Sequence, residues 1–291
     1  MFGPDTSIAS RAGRHSPGEA RQRRTVLITG ASGGIGLELA KLFAADGDSL
    51  ILVGRDRDRL EAAGAQLEAE FSVPVRRLPG DLSEPGAASR LWAEASSAGE
   101  SVDVLVNNAG VGLYGPVEEQ DPAALDRMVE LNVVALTALT RLALPGMLRR
   151  RWGRILNLGS LVGFQPGGPR MAAYYATKAY VLSFSRGLAA ELAGSGVSVT
   201  VLAPGPTETQ FDGRSGAEAD VPYKRLPKMT SAAVARAGYR GLKRGVKVVV
   251  PGLVTKAMAF AGEFSPRSIA LEVNRWLWQP RRSRAKGATP E

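Results

Sequence analysis

Residues 25–36 of the chain read Thr-Val-Leu-Ile-Thr-Gly-Ala-Ser-Gly-Gly-Ile-Gly. The first five residues form a short, mostly β-branched run, which predicts a buried strand. A glycine-rich turn follows at once, and an amphipathic helix continues from it with Ile35, Leu39 and Phe43 on one side. A strand, a glycine turn and a helix in this order provide the context that a dinucleotide-binding loop requires.

Glycines allow the backbone to approach a pyrophosphate closely, and the N-terminus of the helix offers free N–H groups with a partial positive charge. The spacing is Gly-x-x-x-Gly-x-Gly rather than the commoner Gly-x-Gly-x-x-Gly. A tight turn without a ligand is the alternative interpretation. We expect the loop to bind a dinucleotide through Gly30, Ser32, Gly33, Gly34, Ile35 and Gly36.

The end of the second predicted strand, 49–53, indicates which dinucleotide is bound. NAD-specific sites place an acidic residue at this position to hold the ribose 2′-hydroxyl. Here Gly54 and Arg55 stand there instead. A guanidinium suits a 2′-phosphate, so NADP(H) is favoured over NAD(H). Alternatively, Arg55 only caps a surface loop, and Asp56 is expected to be the N-cap of the next helix.

Asp81 and Leu82 follow the third predicted strand, 73–78, at the edge where ligands collect in open α/β sheets. The Asp81 carboxylate can accept a hydrogen bond from an adenine amino group, or it can cap a helix that begins near Ser83. Further strands are predicted at 102–106, 154–158, 197–202 and 246–250. Seven strands that alternate with helices predict an α/β fold, a single doubly wound Rossmann-type domain over 25–250. Its seven-stranded parallel sheet would carry helices on both faces.

Tyr174 and Lys178 are four residues apart, so on a helix they leave the same face about one turn apart. An ammonium held close to a phenol favours the phenolate and lowers the phenol pKa, which suits general acid–base catalysis. Ser160 follows the strand 154–158 and can hydrogen-bond a carbonyl. Asn132 lies in an apolar stripe of a predicted helix, 122–150, where its amide must be satisfied. A Tyr-x-x-x-Lys pair alone also occurs in helices as an exposed lysine beside a half-buried tyrosine.

Composition excludes several kinds of chemistry. The chain of 291 residues has no cysteine and one histidine, His15, which excludes thiolate catalysis, zinc–thiolate sites and a Ser-His-Asp triad. No metal site is expected. The N-terminus lacks the apolar region of a secretory signal, and no run approaches 18 apolar residues, so we expect a cytoplasmic protein without a membrane span.

The net charge of +9 is concentrated in the two ends of the chain. By composition, residues 1–23 form a disordered basic arm and 281–291 a disordered tail, and no specific nucleic-acid partner is expected. Residues 251–280 interleave large apolar residues with arginine and predict an amphipathic helical extension. This extension could close a substrate pocket, form an oligomer interface, or make weak peripheral contact with a membrane.

These motifs together resemble the short-chain dehydrogenase/reductase family over nearly the whole of 25–250. The residues after 251 resemble a subgroup with a hydrophobic C-terminal extension. The segment Asn107–Gly110 is similar to the family's sheet-stabilising motif, and Pro204–Thr209 to the segment that meets the nicotinamide carboxamide. The resemblance implies a catalytic tetrad of Asn132, Ser160, Tyr174 and Lys178. It also implies cofactor contacts at Asp81, Leu82, Asn108, Ala109, Gly110, Tyr174, Lys178, Pro204, Gly205, Thr207 and Thr209.

The implied activity is NADP(H)-dependent interconversion of a carbonyl and an alcohol by hydride transfer. Tyr174 would be the general acid or base, and Asn132 would hold a water that relays protons from Lys178. A homodimer or homotetramer through 122–150 and 171–193 is implied too. The substrate pocket is expected to be apolar, favouring a lipophilic small molecule, with Leu113, Tyr114, Phe164 and Phe211 beside Ser160 and Tyr174. The alternative is a non-catalytic NADPH-binding or scaffold protein, because a fold does not determine function.

Overall fold

The computed structural model describes residues 23–97, 101–209 and 221–280. The expected basic arm at 1–23, apart from Arg23, and the expected tail at 281–291 lie outside the described residues. Phe211 and His15 lie outside them as well.

The predicted seven-stranded parallel sheet is confirmed. Its strands run in the order β3-β2-β1-β4-β5-β6-β9, and every neighbouring pair is parallel. The strands are β1 Thr25–Thr29, β2 Ser49–Gly54, β3 Val75–Pro79, β4 Val104–Asn107, β5 Gly153–Leu158, β6 Val197–Leu202 and β9 Val248–Val249. Two short strands, β7 Thr207–Glu208 and β8 Met229–Thr230, form a separate parallel pair.

The last strand of the sheet is shorter than the predicted 246–250. The N–H of Val246 bonds to the carbonyl of Gly241, so this residue belongs to the turn that ends the preceding helix. The third strand begins at Val75, one residue after Pro74, which has no N–H to give to the ladder.

Helices cover both faces of the sheet, as a doubly wound fold requires. They are α1 Gly34–Ala45, α2 Arg57–Phe71, α3 Ala87–Ser96, α4 Pro122–Val129, α5 Leu136–Arg149, α6 Ala172–Glu191, α7 Ser231–Lys243, α8 Leu253–Phe264 and α9 Arg267–Trp278. Side chains of β1 alternate between the two layers: Val26 and Ile28 pack in the cluster that contains α1 and α7, and Leu27 in the cluster that contains α3 and α5.

The strand order reverses direction between β1 and β4. Connections from these two strands leave to opposite sides, and the carboxyl ends of the strands open a crevice there. The glycine loop follows β1 and the Asn107–Gly110 segment begins at the end of β4. The sheet topology alone therefore brings these two segments to the same crevice.

The helix predicted at 122–150 is interrupted by a π-helical segment, Glu130–Ala135, between α4 and α5. Asn132 lies in this segment, and such π turns are frequent at functional sites. By length and mean hydropathy alone, Pro122–Arg149 is long and apolar enough to cross a membrane, which the sequence analysis did not expect. Its inward side chains Leu139 and Met147 are fully buried against the sheet.

The C-terminal extension forms α8 and α9, which pack beside the segment between β5 and α6. Gln165 donates a hydrogen bond from Nε2 to the carbonyl of Met258 over 3.1 Å, and Asn274 donates one from Nδ2 to the carbonyl of Gly167 over 2.6 Å. These bonds attach both helices to the chain immediately before Tyr174, which lies on α6.

Candidate active site

The glycine loop leaves the N-terminus of α1 open. Gly30 and Gly34 have φ values of +66° and +56°, a conformation that favours glycine. A Cβ at Gly36 would lie 2.3 Å from the carbonyl oxygen of Gly30, so no side chain fits there. No side chain caps α1, and its first turn contains no acidic residue. The free N–H groups of the helix therefore remain available to an anion.

Asn108 holds the glycine loop from the neighbouring strand. Its Nδ2 donates to the carbonyl oxygens of Thr29 and Gly30, over 2.9 and 3.1 Å. The Thr29 hydroxyl in turn accepts hydrogen bonds from the backbone N–H groups of Asn108 and Ala109, both over 2.9 Å. Side chains from β1 and from the residues after β4 thus fix each other, which gives a physical reason for the predicted sheet-stabilising motif.

A second set of buried amides connects the sheet to α6. Asn107 donates from Nδ2 to Thr140 Oγ1 and to Asn157 Oδ1, over 3.0 and 2.9 Å. Asn157 donates to Ser185 Oγ over 3.0 Å, and Ser185 donates to the carbonyl of Val181. Asn107 Oδ1 has no hydrogen-bond partner among the described residues, but the hydrogen bonds named here join β4, β5, α5 and α6. Paired buried polar groups rigidify a core. Here the network fixes α6, the helix that carries Tyr174 and Lys178, to the middle of the sheet.

At the other end of the crevice, Arg55 approaches Asp81, with 3.7 Å between Nη1 and Oδ2. Asp81 Oδ1 accepts hydrogen bonds from the N–H and the hydroxyl of Ser83. The helix expected near Ser83 begins only at Ala87, after the N-cap Gly86, so Asp81 holds a turn and does not cap a helix. Partial burial raises the pKa of Asp81, but the bonds from Ser83 and the charge of Arg55 together hold it below its ordinary value. Asp56 caps α2 as expected, accepting from the N–H of Arg59 over 3.0 Å.

Tyr174 and Lys178 are both buried on α6, with Lys178 Nζ 5.8 Å from the centroid of the Tyr174 ring. Lys178 also donates a hydrogen bond from Nζ to the carbonyl of Leu158, at the end of β5, over 2.8 Å. Burial lowers the pKa of Lys178 from 10.5 to about 8. The lysine is therefore held at a fixed point between the tyrosine and the sheet edge, and it changes charge close to physiological pH.

Ser160 begins a short 3-10 turn, Leu161–Phe164, that packs directly on α6. Its hydroxyl accepts a hydrogen bond from the N–H of Val162 over 3.3 Å and keeps a proton to donate elsewhere. A Cβ at Gly163 would lie 2.6 Å from the carbonyl oxygen of Lys178. Glycine at position 163 therefore allows the close approach that brings Ser160 to the same wall as the Tyr174–Lys178 pair.

Asn132 is buried, and its side-chain amide makes three hydrogen bonds. Its Oδ1 accepts from the N–H of Val111, and its Nδ2 donates to the carbonyl of Val111 and to Thr177 Oγ1. A Cβ at Gly110 would lie 3.2 Å from Asn132 Oδ1 and 3.5 Å from Lys178 Nζ, so these residues meet at one point. Both N–H groups of the amide have partners, so a water relay would require Oδ1 or the main chain, and that role stays a prediction.

One partly open cavity of about 390 Å³ is lined by the glycine loop, Arg55, Ser160, Tyr174 and Lys178, but not by Asn132, which lies behind Gly110. Its volume lies in the range of natural small-molecule sites. Of the expected cofactor residues it is lined by Gly30, Ser32, Gly33, Gly34, Ile35, Arg55, Asp81, Leu82, Asn108, Ala109, Gly110, Tyr174, Lys178, Pro204, Gly205, Thr207 and Thr209. Gly36 lies behind the loop, against Gly30 and Asn108.

The expected substrate residues do not all meet this cavity. Ser160 and Tyr174 line it. Leu113 and Tyr114 pack in the neighbouring apolar cluster, and Phe164 lies in a different buried cluster with Leu161 and Val181, because the 3-10 turn points its ring away from the crevice. Phe211 lies outside the described residues.

Trp278 closes the substrate end of the cavity instead. It lines the cavity with Val162, Met171 and Tyr223, and its ring stacks on Tyr223 with 4.3 Å between centroids. Of the three roles considered for the extension, closing a pocket agrees with this contact of Trp278 and stays a prediction. Trp278 is 54 residues beyond Lys224, another lining residue, and nothing in the local sequence marks it as part of the site.

Comparison with known proteins is consistent with this arrangement. Residues 24–220 match the family model described as short chain dehydrogenase.

The chain belongs to the short-chain dehydrogenase family.

Three relatives illustrate the similarity. The chain is 39% identical to the nodulation protein G of Rhizobium sp. (strain N33) over 64% of its own length and 74% of that protein's. A short-chain dehydrogenase from Sphingobium yanoikuyae, solved in complex with NADPH, is 36% identical with a TM-score of 0.74, covering 82% of this chain and 92% of that one. A bulky-bulky ketone specific alcohol dehydrogenase from Comamonas testosteroni is 33% identical with a TM-score of 0.69, covering 79% and 86%.

Membership of this oxidoreductase family assigns a nicotinamide cofactor to the cavity, and the residues present fit one. The uncapped N-terminus of α1 and the glycine loop provide N–H groups for a pyrophosphate. Thr209 lies across the loop, since a Cβ at Gly34 would be 3.6 Å from its methyl group. The dehydrogenase also carries a second cation here that sequence reasoning missed. A Cβ at Gly33 would lie 2.9 Å from Arg59 Nη2, and Arg59 lines the cavity.

Proposed function

We propose that this dehydrogenase is an NADP(H)-dependent oxidoreductase that interconverts a lipophilic ketone and the corresponding alcohol. The observation that carries the proposal is one continuous cavity. The glycine loop and two arginines lie at one end, and Ser160, Tyr174 and Lys178 lie at the other. A cofactor laid along the loop would present its reactive end to the hydroxyl groups of Ser160 and Tyr174 and to the ammonium group of Lys178.

The roles of the side chains follow from their chemistry. The cofactor, when bound, supplies or accepts the hydride. In the direction of reduction, the Tyr174 hydroxyl gives its proton to the carbonyl oxygen, and in oxidation the phenolate takes it back. The Ser160 hydroxyl donates a hydrogen bond to the same oxygen and stabilises the negative charge that develops there. The Lys178 ammonium stabilises the phenolate, and its bond to the Leu158 carbonyl keeps it in place.

The preference for NADP(H) rests on Arg55 and Arg59, which both line the end of the cavity beyond the glycine loop. A ribose 2′-phosphate carries a negative charge that two guanidinium groups accept well. In their absence, Asp81 at the same end would repel the phosphate. The Sphingobium relative was solved with NADPH, which supports this choice.

The preference for a lipophilic ketone rests on the side chains around Ser160. Val162, Met171, Tyr223 and Trp278 present aliphatic and aromatic surface beside Ser160 and Tyr174. The Comamonas relative is named for bulky ketones, which supports a substrate with large groups on both sides of the carbonyl.

We further propose that the enzyme works in the cytoplasm as a homodimer or homotetramer through α4–α5 and α6. Exposed apolar side chains on these helices support this assembly, namely Val129, Val134, Leu148 and Tyr180. Light scattering coupled to gel filtration measures the assembly directly, and a monomer at all concentrations would refute it.

Tyr174→Phe tests the proposed chemistry. The variant should lose at least a thousandfold in turnover of a panel of aromatic and aliphatic ketones, followed by NADPH absorbance, and should still bind NADPH in a fluorescence titration. Tyr180→Phe is the matched control, because Tyr180 lies on the same helix but outside the cavity, and its hydroxyl bonds that of Thr137 in the described part of the chain. If Tyr174→Phe keeps its turnover, the proposed mechanism is wrong. A wild type that binds NADPH and reduces no ketone would favour the non-catalytic alternative.

A further inference from the structure

The outer surfaces of α8 and α9 are unusually apolar. Fourteen large apolar side chains are exposed among the described residues, and eight of them lie between Leu253 and Trp276. Leu253 is 84% exposed, Phe264 68% and Phe260 66%. Exposed apolar residues scattered singly are normal, but a concentration in one 24-residue segment marks an interaction site.

These side chains form stripes rather than a random set. On α8, Leu253, Phe260 and Phe264 repeat at helical spacing on the side opposite the buried Thr255 and Ala259. A surface helix needs only one apolar face to pack on its own protein. α8 has two, and its second face has no partner among the described residues.

α9 is built in the same way. Ile269, Val273 and Trp276 share one exposed stripe, while Leu277 and Trp278 are buried against the protein. Trp276 and Trp278 point to opposite sides of the helix, since two residues advance it by about 200°. The outer stripe and the wall of the cavity therefore belong to the same helix, one helix thickness apart.

The sequence of the extension is basic. The segment 251–291 contains seven lysines and arginines against three glutamates. Two of these glutamates are already neutralised, since Glu263 accepts from Arg186 over 2.8 Å and Glu272 pairs with Arg275 over 3.1 Å. In the sequence, Gln279 and Pro280 follow α9, and Arg281, Arg282, Arg284 and Lys286 come next.

We propose that the outer face of α8 and α9, defined by Leu253, Val254, Phe260, Phe264, Ile269, Val273 and Trp276, binds the surface of an anionic lipid bilayer. Phenylalanine and tryptophan side chains insert at the boundary between headgroups and acyl chains, and basic residues beside them meet the lipid phosphates. The exposed aromatic stripes match this surface in polarity, and the exposed cations Lys256 and Arg267 on the same two helices match it in charge.

A second copy of the chain fits the same face less well. Homodimers mostly form through two-fold contacts, in which the same surface is used twice. A two-fold contact here would bring the exposed Lys256 and Arg267 of two copies to the same interface, and juxtaposed like charges cost binding energy. The lipid surface has the opposite sign of charge. This inference goes beyond the proposed activity and does not depend on it.

Co-sedimentation with lipid vesicles tests the proposal. The full chain should bind vesicles of phosphatidylcholine containing a third phosphatidylglycerol at least tenfold more tightly than vesicles of phosphatidylcholine alone, and salt should weaken the binding. A triple variant, Phe260→Ser with Phe264→Ser and Trp276→Ser, should lose at least tenfold in affinity. A double variant at exposed valines on other surfaces, Val117→Ser with Val246→Ser, is the matched control and should bind like wild type.

Further measurements distinguish lipid binding by this face from unfolding of the variant and from self-association. Thermal melting and NADPH binding of the triple variant should match wild type, because the changed side chains face outward. Replacement of Arg281, Arg282, Arg284 and Lys286 by glutamine should weaken vesicle binding without abolishing it. The proposal is wrong if wild type does not bind the anionic vesicles, if the triple variant binds like wild type, or if the four glutamines abolish binding that the triple variant retains. If the wild type does not bind vesicles and the triple variant forms a smaller oligomer than wild type, this face serves self-association.

Discussion

The indole N–H of Trp278 donates a hydrogen bond to the hydroxyl of Tyr175 over 2.7 Å. Both side chains are buried, and burial raises the pKa of Tyr175 well above its ordinary value, so its hydroxyl stays protonated. Tyr175 is the chain neighbour of Tyr174. The last helix of the described chain is therefore attached to the helix that carries the proposed acid–base pair, beside that pair.

This bond gives a stability prediction for Tyr175→Phe. The change leaves the buried Trp278 N–H without an acceptor, so the free energy of unfolding should fall by about 1–3 kcal/mol in urea denaturation. Turnover at a temperature where the variant is folded should remain close to wild type, because the Tyr175 hydroxyl does not line the cavity. If this variant lost turnover while Tyr174→Phe stayed active, Tyr175 rather than Tyr174 would be the residue that transfers the proton.

Lys178 predicts opposite pH dependences for activity and for stability. Its pKa of about 8 means that the folded enzyme loses the ammonium charge as the pH rises through 8, and turnover that needs this charge should fall there. The unfolded chain keeps the proton up to about pH 10.5, so this lysine's contribution to stability becomes more favourable between pH 8 and 10.5.

A comparison of the wild type with Lys178→Met isolates the contribution of this lysine to the stability. Below pH 8 the variant avoids the cost of burying an ammonium, and this advantage should shrink as the pH rises toward 10.5. Urea denaturation of both proteins at pH 7 and pH 9.5, without cofactor, measures the difference. If the stability advantage of Lys178→Met over the wild type grew with pH, burial would not be the cause of the lowered pKa of Lys178. Turnover of the variant should be lost at every pH.

Arg55→Ala and Arg59→Ala should each weaken NADPH binding about tenfold and leave NADH binding nearly unchanged, because only NADPH carries the 2′-phosphate. The double variant should bind the two cofactors about equally. Arg57→Ala is the matched control, since Arg57 lies between them in the chain but does not line this cavity. Fluorescence titration with both cofactors makes the measurement. Equal affinity for NADH and NADPH in wild type would remove this argument and leave the proposed reaction class unaffected.

Trp278 and Trp276 provide a test of the substrate end. Trp278→Phe keeps a ring beside Tyr223 but loses the bond to Tyr175, and it should change KM severalfold more than kcat. Trp278→Ala opens the wall and should favour bulkier ketones, at a cost of about 3–5 kcal/mol in stability. Trp276→Ala, on the outer side of the same helix, should leave both constants unchanged in solution. If changes at Trp278 and Trp276 altered KM and kcat equally, Trp278 would not form part of the substrate pocket.

Much of this architecture was predictable from local patterns. A buried parallel strand is a continuous apolar run, a phosphate loop is a glycine turn before a helix, and residues four apart on a helix share a face. Residues 25–36 therefore identified the fold, and Tyr174 and Lys178 identified the pair that the structure indeed finds on one side of α6. Position Arg55 was predictable for the same reason, since it follows a strand end whose place in the fold is set by the topology.

Other features were decided only by tertiary structure. Phe164 looked like a pocket residue by its position after Ser160, but the 3-10 turn directs its ring into the core. Arg59 reaches the glycine loop because of the position in which α2 packs. The amide of Asn132 bonds Val111 from a π-helical segment that no local sequence pattern predicts.

The sequence by itself determined the parallel sheet, the glycine loop and the spacing of Tyr174 and Lys178, because each depends on neighbours within one or two helical turns or on the order of the strands. Tertiary structure alone decided that Trp278 closes the cavity and bonds Tyr175, 103 residues earlier in the chain. A contact over that separation depends on the angles at which whole helices pack, and those angles arise from the summed fit of many buried side chains rather than from any local pattern.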